Sequence, residues 1–430
     1  MTMLDTDRPV RVSDADSHMS ERHDLWTRSA PAGMKDRMPY VTDVDGIPSW
    51  VVEGNVIHTA RGGCVIDKDD KKFSLADGWE GTTPIELYHP AAYDPVARVE
   101  LLDKVGISAQ VVYPNAVGIG GDKLSAAVPD ERQRLLLLQM FNDYNAEVMT
   151  NSKQRLLPLA VMPAWSVDAC VAEAERAASL GLRGVNMTSD PQDQGAPDLA
   201  NRAWDALWEV CSERQLPVHF HIATSATAMS YFGTYAWDSH DEHTKLAIGG
   251  TLLFVGNAKV VVNILCSGML ERFPALKIVS VESGGGWIPF ILEALDYEMA
   301  ENAPDELADF SMLPSEYFRR QIYATTWFEQ RNITSLIDAI GADNLLFETD
   351  FPHPTCLYPD PMKTADENLA ALEPEDRRKI LGENAAALYG FDLDALAPEA
   401  ARVGPTVAEI AEPLTELPDN ANQALRRAMS

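Results

Sequence analysis

Cysteine is scarce in this chain of 430 residues, and its placement excludes two kinds of protein. Its five cysteines, Cys64, Cys170, Cys211, Cys266 and Cys356, are odd in number and widely scattered, without a Cys-x-x-Cys pair. Neither a disulfide framework nor a thiolate zinc site is expected, and a reducing cytoplasm fits best. Positive charge is also short, because 35 Lys and Arg face 65 Asp and Glu for a formal net charge of -30. Such a chain repels phosphate backbones and anionic lipid heads, and no local basic patch offsets it. Partners should therefore be small molecules or other proteins, with no nucleic acid and no membrane. Unbroken apolar runs are lacking as well. The most apolar stretch, 246–270, is interrupted by Asn257, Lys259 and Asn263, so no membrane span is expected. Residues 1–9 carry acids and no apolar centre, unlike a secretory signal.

What is present is regular. Hydrophobic residues make up 46% and charged residues 23%, which places the chain among globular proteins. A short apolar run at Val10–Val12 opens into Ser13-Asp14-Ala15-Asp16-Ser17-His18 and reads as a first strand. The following segment, roughly 19–92, is punctuated by Gly and Pro, with a hairpin predicted over Trp50–Ile57 around Gly54-Asn55. From Asp94 onward, helices at Pro95–Val105, Asp130–Ser152, Val167–Leu180, Pro197–Arg214, within Glu242–Phe273, at Trp287–Ala300 and at Ile333–Ile340 alternate with strands. The strands fall at Ala109–Tyr113, Leu156–Met162, Leu182–Met187, Pro217–Ile222, Leu276–Val281, Gln321–Trp327 and Asn344–Phe347.

With the first run these make eight strands separated by helices, the number that closes a parallel α/β barrel. An open doubly wound sheet usually announces a Gly-rich phosphate loop after its first strand, and 13–18 contains no glycine. The predicted fold is a (β/α)8 TIM barrel over 1–395 with an inserted segment after strand one. Further helices follow from Pro361, including Pro374–Leu381 and Asn384–Tyr389. Residues 396–430 form a C-terminal extension with a final helix over Asn420–Met429.

Catalytic groups of such a barrel sit at the C-terminal ends of its strands. There the sequence puts Asp14, Asp16 and His18 after strand one, and His219 and His221 in strand five. Glu282 follows strand six, and Asp350 and His353 follow strand eight. Asp16 and His18 are two apart on an extended segment and so share a face. Oxygen and imidazole donors without thiolate suit zinc, manganese or iron. His221, nearer the strand end, is the better ligand candidate, and His219 is read as its support. His240 and His243 lie in a polar loop and read as surface residues. Glu282 precedes Ser283-Gly284-Gly285-Gly286-Trp287, glycines that bring backbone close to the site. Trp50, Tyr88, Tyr113, Trp237 and Trp327 either line an apolar pocket or pack the core.

Taken together, these segments resemble the amidohydrolase superfamily, in particular the amidohydrolase-related branch similar to aminocarboxymuconate semialdehyde decarboxylase. The matching pieces are 14–18, the His221 strand, Phe273–Val279 leading to Glu282–Pro289, Thr349–His353 and Asn384–Gly390. The resemblance implies a distorted barrel, a divalent metal held by Asp16, His18, His221 and Asp350, and a small carboxylate- or amide-bearing substrate. It also implies metal-assisted hydrolysis or non-oxidative decarboxylation. Glu282 departs from the pattern, because decarboxylases of this branch usually carry a histidine after strand six.

Three readings follow. In the first, Glu282 or Asp350 takes a proton from water activated by a single ion. In the second, Glu282 and His353, with Glu21 as a further candidate, complete a second metal position beside the first. An iron or manganese pair there would support monooxygenase chemistry. In the third, the chain is a non-catalytic partner subunit with a structural metal. A homodimer or hetero-oligomer is expected for so acidic a chain with a long extension.

Overall fold

The computed structural model describes residues 10–60, 62–74, 85–230, 237–391 and 393–405. The predicted helix over 420–429 lies outside them. In chain order the strands are β1 (Ser13–Asp14), β2 (Tyr40–Val44), β3 (Ile47–Val52), β4 (Asn55–Thr59), β5 (Ala109–Val112) and β6 (Leu156–Pro158). They continue as β7 (Ala160–Val161), β8 (Val185–Asn186), β9 (Val218–His221), β10 (Ile278–Val281), β11 (Ile322–Thr326) and β12 (Leu345–Phe347). β2, β3 and β4 form an antiparallel sheet of their own. The remaining strands pair in parallel, in the orders β1-β5-β6 and β12-β11-β10-β9-β8-β7.

Hydrogen bonds join these two parallel sheets at both seams. Leu159 N–H reaches back to Val112 at 3.2 Å, while Ala160 and Met162 turn to Gly184 and Asn186, each at 3.1 Å. β6 and β7 are thus one run that changes neighbour at Leu159. At the other seam Ala15 N–H donates to Phe347 O at 2.8 Å and Asp350 N–H to Asp16 O at 3.0 Å. The parallel strands therefore follow one another round a ring, and the ends of β1 and β12 meet. β5, β9, β10 and β12 are buried along their whole length, as expected of parallel strands covered by helices.

Local chemistry sets the helix ends. Asp130 accepts from Gln133 N–H to start Glu131–Asn151, and Ser166 accepts from Ala169 N–H to start Val167–Ser179. Asp94 caps Pro95–Val105, which ends at Gly106 with φ 83°. Two expectations shift. The first strand begins at Ser13 rather than Val10, because Ser13 and Asp14 pair with Ala109 and Gln110 while Val12 O accepts Ser108 N–H at the ladder's edge. The helix expected from Pro197 begins at Asp205. Side chains of Asp198 and Asn201 take the Ala200 and Ala203 amides, turns that compete with helix.

The antiparallel sheet sits against the Glu131–Asn151 helix through tryptophans. Trp50 meets Trp26 edge-on at 4.9 Å, and the Trp26 indole donates to Leu137 O at 2.9 Å. The hairpin falls where expected, at Gly54, with Tyr40–Val44 as an additional strand. Glu242–Cys266 is long and apolar enough by composition to cross a bilayer, which the interrupting polar residues had argued against. Asn257 divides it into two helices, donating to Phe220 O at 2.8 Å and to Ser280 Oγ at 3.1 Å. The second half buries Val260, Val261, Ile264 and Leu265 in the core.

Candidate active site

Of the acids and imidazoles singled out at strand ends, Asp16, His18, His221, Glu282, Asp350 and His353 come together at one end of the ring. Beyond β1, Asp16 and His18 are fully buried. The Arg98 guanidinium, also buried, donates to His18 O at 2.5 Å and fixes that backbone. In β9, His221 donates from Nδ1 to Ile222 O at 2.8 Å, which aims Nε2 into the ring. That Nε2 lies 3.2 Å from His18 Nε2, 3.1 Å from Glu282 Oε2 and 3.5 Å from Asp16 Oδ2. After β12, Asp350 Oδ1 is 3.8 Å from His18 Nε2 and 3.0 Å from His353 Nδ1.

These contacts define two overlapping groups. One ligand atom each from Asp16, His18, His221 and Glu282 lies within 4.8 Å of the others, and the same holds for His18, Glu282, Asp350 and His353. Both oxygens of Asp16 are buried without a hydrogen-bond partner, facing Nε2 of His18 and of His221. Leaving such groups unpaired costs several kcal/mol, on the order of 2–7 each. A divalent cation held by carboxylate and imidazole removes that cost, so the donor set fits a metal. Glu282 and His353 are the members whose side chains reach solvent, at 12% and 16% exposure, while Asp16, His18, His221 and Asp350 are at 0%.

Electrostatics agree with this fit. Burial pushes the Asp16 carboxyl up to about 7 against the pull of His221. Burial opposes charge on His221 too, yet Asp16 and Glu282 together hold it well above the usual imidazole range. For His353 burial is outweighed by Asp350, and its value is raised to about 9. Without a cation, burial favours protons on the Asp16 and Asp350 carboxyls. A bound metal would displace them, which makes affinity rise with pH.

Backbone geometry carries strain at the same place. Glu282 (φ 51°) and Asp350 (φ 56°) both adopt the left-handed region that costs non-glycine residues on the order of 1–3 kcal/mol. Glu282 is held there because its N–H donates to Thr325 Oγ1 at 3.0 Å and the next turn is clamped by Glu329, which accepts Gly285 N–H at 2.6 Å. A Cβ on Gly284 would fall 2.5 Å from Glu329 Oε1, so only glycine fits.

Other candidates stay outside both groups. The Glu21 carboxylate accepts the Asn115 and Ala116 amides at 2.8 and 3.0 Å, which does not place it beside His353 as a further ligand. His219 pairs through Nδ1 with the Tyr113 hydroxyl at 2.6 Å and stacks on Tyr389. Asp14 is turned to Gln110 and Thr349. His240 and His243 are exposed, in line with a surface reading. Trp50, Tyr88, Tyr113 and Trp327 are buried packing residues, and Trp237 is exposed.

Sequence reasoning missed Glu348. It is fully buried beside Asp16, Glu282 and Asp350, and burial followed by the Asp16 charge holds its carboxyl well above the usual range. Its Oε2 faces Glu282 N–H at 3.4 Å and its Oε1 has no partner. The available signal was an acid directly abutting the apolar Leu345–Phe347 run.

A family profile described as amidohydrolase matches residues 88–391. The chain belongs to the amidohydrolase family. This amidohydrolase is 27% identical over 335 residues to gamma-resorcylate decarboxylase from Rhizobium sp. (strain MTP-10005), covering 76% of the chain and 94% of that protein. An amidohydrolase from Mycobacterium avium subsp. paratuberculosis K-10 superposes with a TM-score of 0.67 at 22% identity, over 89% of this chain and 99% of that one. A dihydroxybenzoic acid decarboxylase from Polaromonas sp. JS666, solved with manganese and 2-nitroresorcinol, gives 0.56 at 18% identity over 88% and 96%. The resemblance drawn from short motifs is borne out at the level of the family, and the α/β fold with parallel strands is shared.

Proposed function

We propose that this amidohydrolase is a metal-dependent decarboxylase that releases CO2 non-oxidatively from a small, aromatic-type carboxylate. The observation that carries the reading is the buried group Asp16, His18, His221 and Glu282, with unpaired acceptor atoms converging at the strand ends. Likeness over nearly the full length of a resorcylate decarboxylase favours this chemistry over hydrolysis of an amide. The fold is proposed to be a distorted (β/α)8 barrel over 1–395, with 19–92 inserted and 396–430 as an extension. A cytoplasmic homodimer or hetero-oligomer is proposed with it.

When bound, a divalent zinc, manganese or iron ion supplies Lewis-acid polarisation of the substrate's oxygens. Asp16, His18 and His221 would hold it, with Asp350 closing the set as the family resemblance implies. Breaking the C–CO2 bond leaves an electron pair on carbon, and that carbon must take a proton. Glu282 and His353 are the solvent-reaching groups of the cluster and are placed to deliver it. Asp350 keeps His353 charged at neutral pH.

A second reading is favoured by one specific observation, the sharing of His18 and Glu282 between two ligand groups. Two ions, held by Asp16, His18 and His221 and by Asp350 and His353 with Glu282 available to both, would supply the chemistry of a dinuclear iron or manganese monooxygenase. Elemental analysis of protein purified without added metal, followed by CO2 release from a panel of hydroxybenzoates, separates the readings. One ion per chain with CO2 release supports the decarboxylase. Two ions including iron, with oxygen uptake and no CO2, would replace it with the oxygenase. Metal without any turnover would return the partner-subunit reading.

A further inference from the structure

Asp14 is buried and shares a face with Asp16 and His18, yet its carboxylate belongs to neither ligand group. It instead collects four donors. Oδ1 accepts the backbone N–H groups of Asp16 at 3.1 Å and Thr349 at 2.9 Å. Oδ2 accepts Gln110 Nε2 at 2.6 Å and Thr349 Oγ1 at 2.5 Å. The donors come from the ends of β1 and β12, which meet at the seam of the ring, and from within β5, which pairs with β1 on its other side.

The chain of contacts continues outward. Gln110 Oε1 accepts from Arg98 Nη1 at 2.8 Å, and the same guanidinium donates to His18 O and, from Nε, to Ala91 O at 2.7 Å. A buried carboxylate and a buried guanidinium are thus bridged by one amide, and between them they fix the backbone of Asp16, His18 and Thr349. Thr349 immediately precedes Asp350, whose left-handed backbone persists only under outside restraint.

We propose that Asp14 is a positioning residue that locks the ends of β1 and β12 together, so that Asp16 and His18 from one side and Asp350 from the other converge on one metal ion. This rests on the metal-dependent reading above. A carboxylate has acceptor capacity for all four donors, whereas an asparagine offers one oxygen and turns an NH2 toward the Gln110 amide. The expected consequence is a ligand set that spreads while the fold stays.

The test is Mn2+ titration of the metal-stripped full chain by calorimetry, with thermal unfolding of the metal-free forms in parallel. Asp14→Asn should weaken Mn2+ binding by about tenfold, the size typical of partners that orient metal ligands. Adding Gln110→Glu restores a donor–acceptor match with Asn at 14, keeps Arg98 paired, and should recover most of the loss. Thr349→Val removes a single donor, serves if the first variant does not fold, and should weaken binding about threefold, a smaller step of the same kind. A merely structural role would lower the metal-free melting temperature and leave the Mn2+ affinity unchanged. Asp14→Asn and Thr349→Val with wild-type affinity would overturn the inference. A wild-type chain that binds no Mn2+ would instead sink the metal reading, and this inference with it.

Discussion

His353 lies flat on His18, with ring centroids 3.7 Å apart and planes inclined by 22°, while its Nδ1 faces Asp350 at 3.0 Å. Two stacked imidazoles do not both carry a proton comfortably. Burial, then His353 itself, holds His18 well below the usual range, whereas Asp350 raises His353. The pair is therefore asymmetric, with His18 a neutral donor atom and His353 a cation anchored to an acid.

Replacing His353 by Phe keeps a ring on His18 and removes the nitrogen donors. Metal bound to the Asp16 group should remain, and turnover should fall by about 100-fold, within the range for losing a positioned proton donor. Metal per chain by plasma mass spectrometry and a kcat measurement check this. Unchanged turnover would remove His353 from the chemistry.

Glu282 belongs to both ligand groups. If two ions are bound, Glu282→Ala should lose one and keep the other. If one is bound by Asp16, His18, His221 and Asp350, the variant should keep it and turn over about 100-fold more slowly, as expected for losing a positioned proton donor. Full retention of metal at wild-type affinity would show that Glu282 is not a ligand.

Gly63 has φ 69°, and a Cβ built on it would sit 2.8 Å from His353 Cδ2. Gly63→Ala should therefore displace the His353 ring and cost about 1–3 kcal/mol. Urea unfolding gives the stability change. The sharper signature is lost turnover with metal content retained, and an unaltered kcat would contradict the placement of this loop over His353.

Burial lowers His219 from 6.5 to about 3. The folded protein keeps the ring neutral, while the unfolded chain takes up a proton below 6.5. The His219 contribution to stability is thus complete above pH 6.5 and is lost as pH falls toward 3. Between these limits the stability of the wild type relative to His219→Gln should fall by about 1.4 kcal/mol per pH unit. Denaturant unfolding of both metal-free proteins at pH 7 and pH 5 measures it, and parallel pH curves would refute it.

Asp16, His18, His221, Glu282, Asp350 and His353 were legible because each is a charged or titratable group closing an apolar run, where a merely structural residue would be apolar. Their convergence follows once the runs are ordered around a ring. What the sequence hid depends on turn geometry. Glu329 clamps Gly285 only because Gly284 leaves no Cβ in its way, and Arg98 looks like an ordinary helix-surface residue until its guanidinium is seen donating to His18 O. The Asx turns at Asp198 and Asn201 shortened a helix whose apolar spacing gave no warning. Glu348 shared its segment with Asp350 and was overshadowed by it.

The left-handed backbone at Glu282 and Asp350 sets stability and chemistry against each other. Glycine would occupy either position without strain. A library of variants selected for thermal stability alone should therefore drift toward glycine at 282 and 350, gaining robustness as it sheds the carboxylates. Selection that retains acids there would be the mark of a chain still under pressure to work.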